Sequence, residues 1–335
     1  MTVNYATGFP ANPSGARFSR LTSDLRDSLT TLQTEVVTGL ASDPGAALRG
    51  RTSEVHQLEA NLATLARQQE SITAIEGELE TEQAALASIR RTTQQFLGSI
   101  ETVATANTST SRAVLAETAR NTVDAIASTL NSRFAGRALF AGNETDGPAT
   151  LTGEEIIATV TGAITGATDL ETEVRAFFSD PGGLFETSIY LGGTADNGAT
   201  EIAEDRFIEP RLRADATMFR ELLSEATILA IKAGDGVSLL TPNAAEELRA
   251  NANVMRESLS TLEIQVGMLG IDQQTVASAK RDNIEERVRL EISVSDLIGR
   301  DQAEVATSLE ATQTALETLF LSYSRTQQLS LTRYL

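Results

Sequence analysis

An apolar residue recurs at nearly every seventh position between residues 52 and 106, and this repeat constrains the fold more than any other feature. The recurring residues are Leu58, Leu65, Ile72, Leu79, Leu86, Thr93 and Ile100. Such spacing is typical of a long helix that buries one narrow stripe against neighbouring helices. A helix of about 55 residues would extend for roughly 80 Å. The repeat therefore predicts a mainly α, elongated molecule.

The second apolar position of this repeat is occupied unevenly, by Leu62 and Leu97 but also by Glu76, Gln83 and Arg90. A simple two-stranded coiled coil keeps both positions apolar. The mixture favours a bundle in which one side of the helix is packed more closely than the other.

Two further apolar stripes, with spacings of three and four residues, lie near the two ends of the chain. The first contains Leu21, Leu25, Leu29, Leu32 and Val36, and the second contains Val305, Leu309, Leu316, Leu319 and Tyr323, followed by Leu329, Leu331, Tyr334 and Leu335. Either the two stripes form the core of one helical domain, or they bind helices of other copies. Stripes that continue this close to the chain ends favour intermolecular packing.

The order of patterns predicts an antiparallel bundle of long helices built from both chain ends, with a small central insertion that contains β structure. Helices are predicted over residues 17–40, 52–106, 109–132, 171–178, 215–232 and from 243 to about 332, the last interrupted or bent around residues 266–270. Residues 131–148 predict a hairpin or tight loop, and the β-branched runs at 155–160 and 188–191 favour strands.

Five segments follow from these patterns. They are an N-terminal assembly segment, 1–40; the first part of a helical rod domain, 41–149; an acidic outer insertion domain with strands, 150–213; the second part of the rod, 214–299; and a C-terminal assembly segment, 300–335, which pairs with residues 1–40. The insertion is distinct in charge, because residues 144–205 contain 13 acidic side chains and one basic side chain, Arg175.

Charge and composition exclude several classes of partner. The formal net charge is −19, whereas nucleic acids and anionic membranes require a basic surface. No apolar run approaches the roughly 20 residues of a membrane helix. The first residues lack a basic start and an apolar stretch, so we expect no cleaved signal peptide.

Candidate catalytic and metal-binding residues are sparse. The chain has no Cys and a single His, His56, and a zinc site needs several such ligands. The acidic insertion lacks the spacing of a calcium loop. Glu285 and Glu286 are adjacent on a predicted helix and point about 100° apart, so they do not face each other. We expect no enzyme activity, cofactor or metal.

Three stretches resemble the flagellin family. Residues 38–48, TGLASDPGAAL, resemble the turn that follows the first helix of that family. Residues 130–142, LNSRFAGRALFAG, are similar to the pattern N-x-x-x-x-G-x-x-L-F-x-G, through Gly136, Leu139, Phe140 and Gly142. We expect this cluster, with Phe134, to form a plug over helix ends. Residues 323–335 end in LSLTRYL, which resembles the family branch that joins hook to filament.

The resemblance implies a structural protein of the flagellar axis that is exported unfolded through the flagellar type III pathway. Its ends would fold as paired helices on assembly, in a ring with other copies and in contact with a neighbouring hook-associated protein and flagellin. It also implies a cytoplasmic export chaperone at the C-terminal segment. The alternatives are a filament flagellin, a coiled-coil scaffold unrelated to flagella and, as a third class, a metal-dependent or acidic-substrate enzyme.

Overall fold

Long helices dominate the protein. The computed structural model describes residues 13–48, 53–164, 169–209, 212–234 and 243–331. The helices in these ranges are α1 Pro13–Thr38, α2 Pro44–Ala47, α3 Ser53–Thr105, α4 Ser109–Leu130, α5 Gly153–Ala163, α6 Leu170–Ser179, α7 Thr217–Gly234, α8 Ala244–Ile298 and α9 Gln302–Leu331. Two antiparallel strand pairs accompany them, β1 Arg133–Phe134 with β2 Arg137–Ala138, and β3 Thr200–Ala203 with β4 Arg206–Ile208. The prediction of a mainly α chain with a small β component is confirmed.

The chain divides into two compact units, which are described separately. The terminal unit comprises residues 1–66 and 284–335, and the central unit comprises residues 67–283. In the terminal unit, α1 lies antiparallel to α9, since Phe18 stacks on Tyr323 at one end and Leu40 pairs with Gly299 at the other. A small core of its own buries Leu48, Val55, Val294 and Ile298.

One continuous hydrophobic core organises the central unit. Helices α4 and α7 pack along each other at its centre. Phe140 meets Phe219 of α7 edge to face, with the ring centroids 6.0 Å apart. Side chains from the predicted insertion join the same core, among them Ile156, Phe178 and Phe185. The acidic surface of this region therefore covers an apolar interior that it shares with the long helices.

Helix α3 has nearly the predicted bounds. Within the central unit, the residues of its seven-residue repeat lie on the buried face of the helix. Ile72, Leu79, Leu86, Thr93 and Ile100 are all buried. Two of the polar residues at the second repeat position, Glu76 and Gln83, contact α8. Glu76 accepts a bond from Lys280 at 2.6 Å, and Gln83 accepts one from Gln273 at 2.9 Å. These pairings explain why polar side chains occupy that position.

The predicted strands at 155–160 and 188–191 are wrong. Residues 155–160 belong to α5, and residues 188 and 189 to a π-helical turn over Phe185–Ile189. Thr152 and Glu155 form a capping box, in which the Thr152 backbone N–H donates to the Glu155 carboxylate at 3.0 Å. The cap and the burial of Ile156 and Val160, four residues apart, outweigh the strand preference of β-branched side chains.

The predicted interruption at 266–270 is also wrong, because α8 continues from Ala244 to Ile298. Gly267 and Gly270 each cost roughly 1 kcal/mol in a helix interior. Burial of Leu262, Leu269 and Val276 on the same helix offsets that cost. The helix ends at Ile298, and Asp301 then caps α9 by accepting from the Ala303 N–H at 2.8 Å.

Candidate assembly interface

The two apolar stripes of the chain ends meet along α1 and α9, and most of their side chains stay partly open to solvent. Val305 is fully buried. The half-buried members are Leu25, Leu29, Leu32, Val36, Leu309, Leu316, Leu319 and Tyr323. Leu21 remains 51% exposed. The side chains of Leu329 and Leu331, and all of Tyr334 and Leu335, lie outside the described part of the chain.

An aromatic cluster joins the beginning of α1 to the last turns of α9. The ring of Phe18 stacks on Tyr323 at 3.8 Å between centroids, with an interplanar angle of 16°. Phe320 meets the same ring edge to face at 5.6 Å. Phe18 was not among the predicted interface residues, although its three-residue distance from Leu21 continues the stripe and could have identified it.

The other end of the pair is held by the chain segments that leave α1 and enter α9. The Ala41 N–H donates to the Ile298 carbonyl at 2.8 Å, and the Arg300 N–H donates to the Gly39 carbonyl at 2.9 Å. The buried carboxylate of Glu35 accepts from the Ser42 N–H at 2.9 Å and forms an ion pair with Arg300. Gly39 has φ +70°, a left-handed conformation that suits glycine at a helix end.

Two helices alone cannot cover their facing stripes. An open groove runs between α1 and α9, lined by Leu21, Leu25, Ala315 and Leu319. Beside it Phe320 and Leu321 are 39% and 64% exposed. Exposed apolar patches of this kind occur where proteins contact other proteins, membranes or ligands. A third helix laid in the groove would bury the remaining apolar area.

The predicted loop cluster forms the β1–β2 hairpin and the buried turn after it. Ala135 and Gly136 both have positive φ angles, 47° and 83°, as a tight hairpin turn requires. The Arg133 guanidinium donates to several backbone carbonyls, including that of Asp146 at 3.1 Å. Asn131, the first residue of the motif, exchanges two hydrogen bonds with the Thr150 backbone, at 2.9 and 3.0 Å.

The second half of the motif connects distant segments through backbone hydrogen bonds. The Phe140 carbonyl accepts from Ala214 at 2.8 Å, and the Asn143 N–H donates to Ala195 at 3.0 Å. Gly142 is buried at φ +57°, and a Cβ there would lie 2.6 Å from the Ala195 oxygen. Leu139 is half-buried and Phe134 lies close to Gly77 of α3. The arrangement is a structural junction within the central unit.

A partly buried charge network links α6, α7 and α8, and sequence reasoning did not find it. Glu225 of α7, with a side chain 1% exposed, binds Arg175 through both carboxylate oxygens, at 2.7 and 3.0 Å. Asn251 of α8 donates to the same carboxylate at 2.6 Å. The hydrogen bonds that Arg175 donates to Glu225 raise the pKa of its guanidinium above the usual value. Arg175 was noticed only as the single basic residue of the acidic stretch.

The other candidate sites show no catalytic or metal-binding arrangement. His56 is exposed, and its Nδ1 lies 3.3 Å from the Glu59 carboxylate. Among the described residues, no cluster of three or more His, Asp or Glu side chains is arranged to hold a metal ion. None of the described helices combines the length and the apolar character that a membrane crossing demands.

Two solved structures that share this fold are described as flagellar proteins. No protein-family model and no curated protein sequence matches the chain. A structure described as a flagellar hook-associated protein of Vibrio parahaemolyticus aligns with a TM-score of 0.56 and 15% identity, over 76% of this chain and 98% of that one. The chain therefore has the fold of flagellar hook-associated proteins.

A second solved structure shares this fold. FlgL of Bacillus cereus aligns with a TM-score of 0.53 and 11% identity, over 71% of this chain and 99% of that chain. Both alignments extend over nearly the whole length of the other protein. At these identities the likeness concerns the fold, which agrees with the resemblance in the sequence motifs.

Proposed function

We propose that this chain is a structural protein of the bacterial flagellar axis that joins hook to filament, as hook-associated protein 3. The observation that carries the proposal is the α1–α9 pair, whose facing stripes remain half exposed. Self-assembly through these stripes would cover the groove lined by Leu21, Leu25 and Leu319. The shared fold and the LSLTRYL ending support the hook–filament position.

The proposed partners are those that the resemblance to the flagellin family implies. Other copies of the chain would pack in a ring through residues 1–40 and 300–335, and a neighbouring hook-associated protein and flagellin would contact the ring above and below. A cytoplasmic export chaperone would cover the C-terminal segment before assembly, and the chain would leave the cell without a cleaved signal peptide. Residues 41–149 and 214–299 would form the rod, and residues 150–213 the outer insertion.

Labelling of purified flagella tests this position directly. Gold-conjugated antibody against the chain is expected at the boundary between hook and filament only. Label along the whole filament would instead support a filament flagellin, and purified protein of that kind would polymerise alone into long fibres. Absence of the chain from flagella and from the culture medium would favour the unrelated coiled-coil scaffold.

The terminal helices are expected to be unprotected in the dilute monomer. Ordering a residue costs roughly 1–2 kcal/mol of conformational entropy, and the half-exposed stripes of α1 and α9 bury too little apolar surface to offset it alone. Residues 1–40 and 300–335 should therefore exchange their amide hydrogens quickly and be cut first by protease.

The central unit provides the internal control for this experiment. Amides of α4 and α7, which form the buried centre, should exchange slowly in the same sample. Strong protection of α1 and α9 in dilute monomer would contradict folding of the ends on assembly.

A further inference from the structure

A single asparagine of the chain is followed by a glycine, and the two residues lie in an irregular surface segment of the central unit. Asn197 is half-buried and Gly198 is exposed, shortly before strand β3. No other asparagine in the sequence has a glycine after it. Glycine has no Cβ, so its backbone nitrogen can approach the preceding side chain more closely than that of any other residue.

The two groups that would react with each other are not held by hydrogen bonds. Among the described residues, none binds the side-chain amide of Asn197 and none accepts from the Gly198 N–H. Asn131 shows the opposite arrangement. Both polar atoms of its side chain bind the Thr150 backbone, at 2.9 and 3.0 Å, and the N–H of the next residue donates to a carbonyl at 3.0 Å. Asn197 is therefore free to turn its amide towards the following nitrogen.

Water has access to the same place, and the segment has room to bend. Asn197 and Gly198 line an open cavity of about 230 Å³ together with Arg137 and Thr145. A cavity of this volume holds several water molecules. Within the described part of the chain, a Cβ added to Gly198 would meet no neighbouring group within 4 Å. The φ angle of Gly198 also lies outside the left-handed region that favours glycine.

We propose that Asn197 is a site of spontaneous modification, at which the side-chain amide is converted to a carboxylate. The Gly198 nitrogen bonds to Cγ of Asn197 and gives its proton to the departing amide nitrogen. The bond between Cγ and that nitrogen breaks, ammonia leaves, and a cyclic imide forms. Water then adds to one of the two imide carbonyl carbons and opens the ring. The product is aspartate, or isoaspartate in which the main chain runs through Cγ, and no step is a redox reaction.

The modified chain differs from the original in charge and, for isoaspartate, in backbone length. One negative charge is added to a chain whose net charge is −19. The new carboxylate lies at the cavity that Arg137 lines. Isoaspartate also inserts one backbone carbon shortly before β3, whose Thr200 pairs with Ile208 of β4. The modification therefore marks each copy according to its age, and it does not depend on the assembly function.

Incubation of the full chain in warm, mildly alkaline buffer, followed by peptide mass analysis, tests the proposal. The peptide that contains Asn197 should gain the mass difference between an amide and a carboxylate. The first acidic species on isoelectric focusing should carry the change at this residue, and isoaspartyl methyltransferase should label the same peptide. Asn131 should keep its amide over the same time, because its side chain is bound to the Thr150 backbone. An Asn197 amide that persists as long as that of Asn131 would overturn the proposal.

Two variants separate reaction with the glycine nitrogen from general loss of amides. Gly198→Ala places a methyl group in open space, so thermal unfolding should be unchanged. The added Cβ hinders the approach of the nitrogen, and the acidic species should form far more slowly. Asn197→Asp carries the product charge from the outset, so it should focus with the aged wild type and gain no charge at this residue. A Gly198→Ala chain that loses the Asn197 amide as fast as the wild type would overturn the proposal.

Discussion

A chain that carries both Leu316→Asp and Leu319→Asp is expected to keep its central unit folded and to lose assembly. Both leucines belong to the half-exposed stripe of α9, and Leu319 lines the open groove. Each substitution removes about 1–2 kcal/mol of the association free energy that burial of a leucine side chain would supply. Each also places a carboxylate where a neighbouring helix would pack. The association constant should fall by about 30- to 700-fold. Sedimentation of the assembled species, or incorporation into flagella, measures the loss.

A matched control adds the same charge to the same helix. Gln313→Asp with Ser324→Asp introduces two carboxylates at exposed polar positions of α9, and this variant should assemble as the wild type does. Thermal unfolding of the central unit should be unchanged in both double variants. Normal assembly of the leucine variant would remove the α9 stripe from the interface.

Replacement of Glu225 by Ala is expected to destabilise the central unit by about 3 kcal/mol. The change removes the Glu225 carboxylate, whose side chain is only 1% exposed. The Arg175 guanidinium and the Asn251 amide then lack the acceptor that they share. The value is at the lower end for a broken buried pair because the Arg175 side chain is 37% exposed and retains some hydration. Denaturant unfolding at neutral pH measures the difference.

Two further variants separate the buried charge from ordinary loss of a side chain. Glu117→Ala removes an exposed glutamate that pairs weakly with Arg120 at 3.6 Å on α4, and should change stability by less than about 0.5 kcal/mol. The double variant Arg175→Met with Glu225→Leu removes both charges and should recover much of the lost stability. A double variant as unstable as Glu225→Ala would show that packing, rather than an unpaired charge, causes the effect.

Most of the helices could be predicted because their apolar residues recur at one regular helical spacing. The repeat from Ile72 to Ile100 lies on the buried face of α3, and the short helix around residues 171–178 appears as α6. The errors arose where the strand preference of single residues competed with the helical spacing of the whole segment. Ile156 and Val160 favour strands individually, whereas their four-residue spacing and the Thr152 cap specify a helix. The capping pattern was present in the sequence and should have decided the interpretation.

The contacts that connect distant segments could not be read from spacing. Nothing in the local sequence pairs Arg175 with Glu225, which lie on different helices. The same holds for the hydrogen bonds of Glu76 with Lys280 and of Gln83 with Gln273, which form only because α3 and α8 are antiparallel. For the candidate interface, periodicity identified the leucines on α1 and α9 but not the stacking of Phe18 on Tyr323.

The hydrogen bonds between Gly39 and Arg300 and between Ala41 and Ile298 have a consequence for the time course of folding. They join residues separated by most of the chain, so α1 is translated long before its partner α9 exists. Contacts of such high sequence separation form late, because closing the intervening chain is entropically costly. The central unit can condense around α4 and α7 beforehand. We therefore expect folding to occur in two kinetic phases, with the chain-end pair in the slower one, which should appear only at protein concentrations that allow assembly.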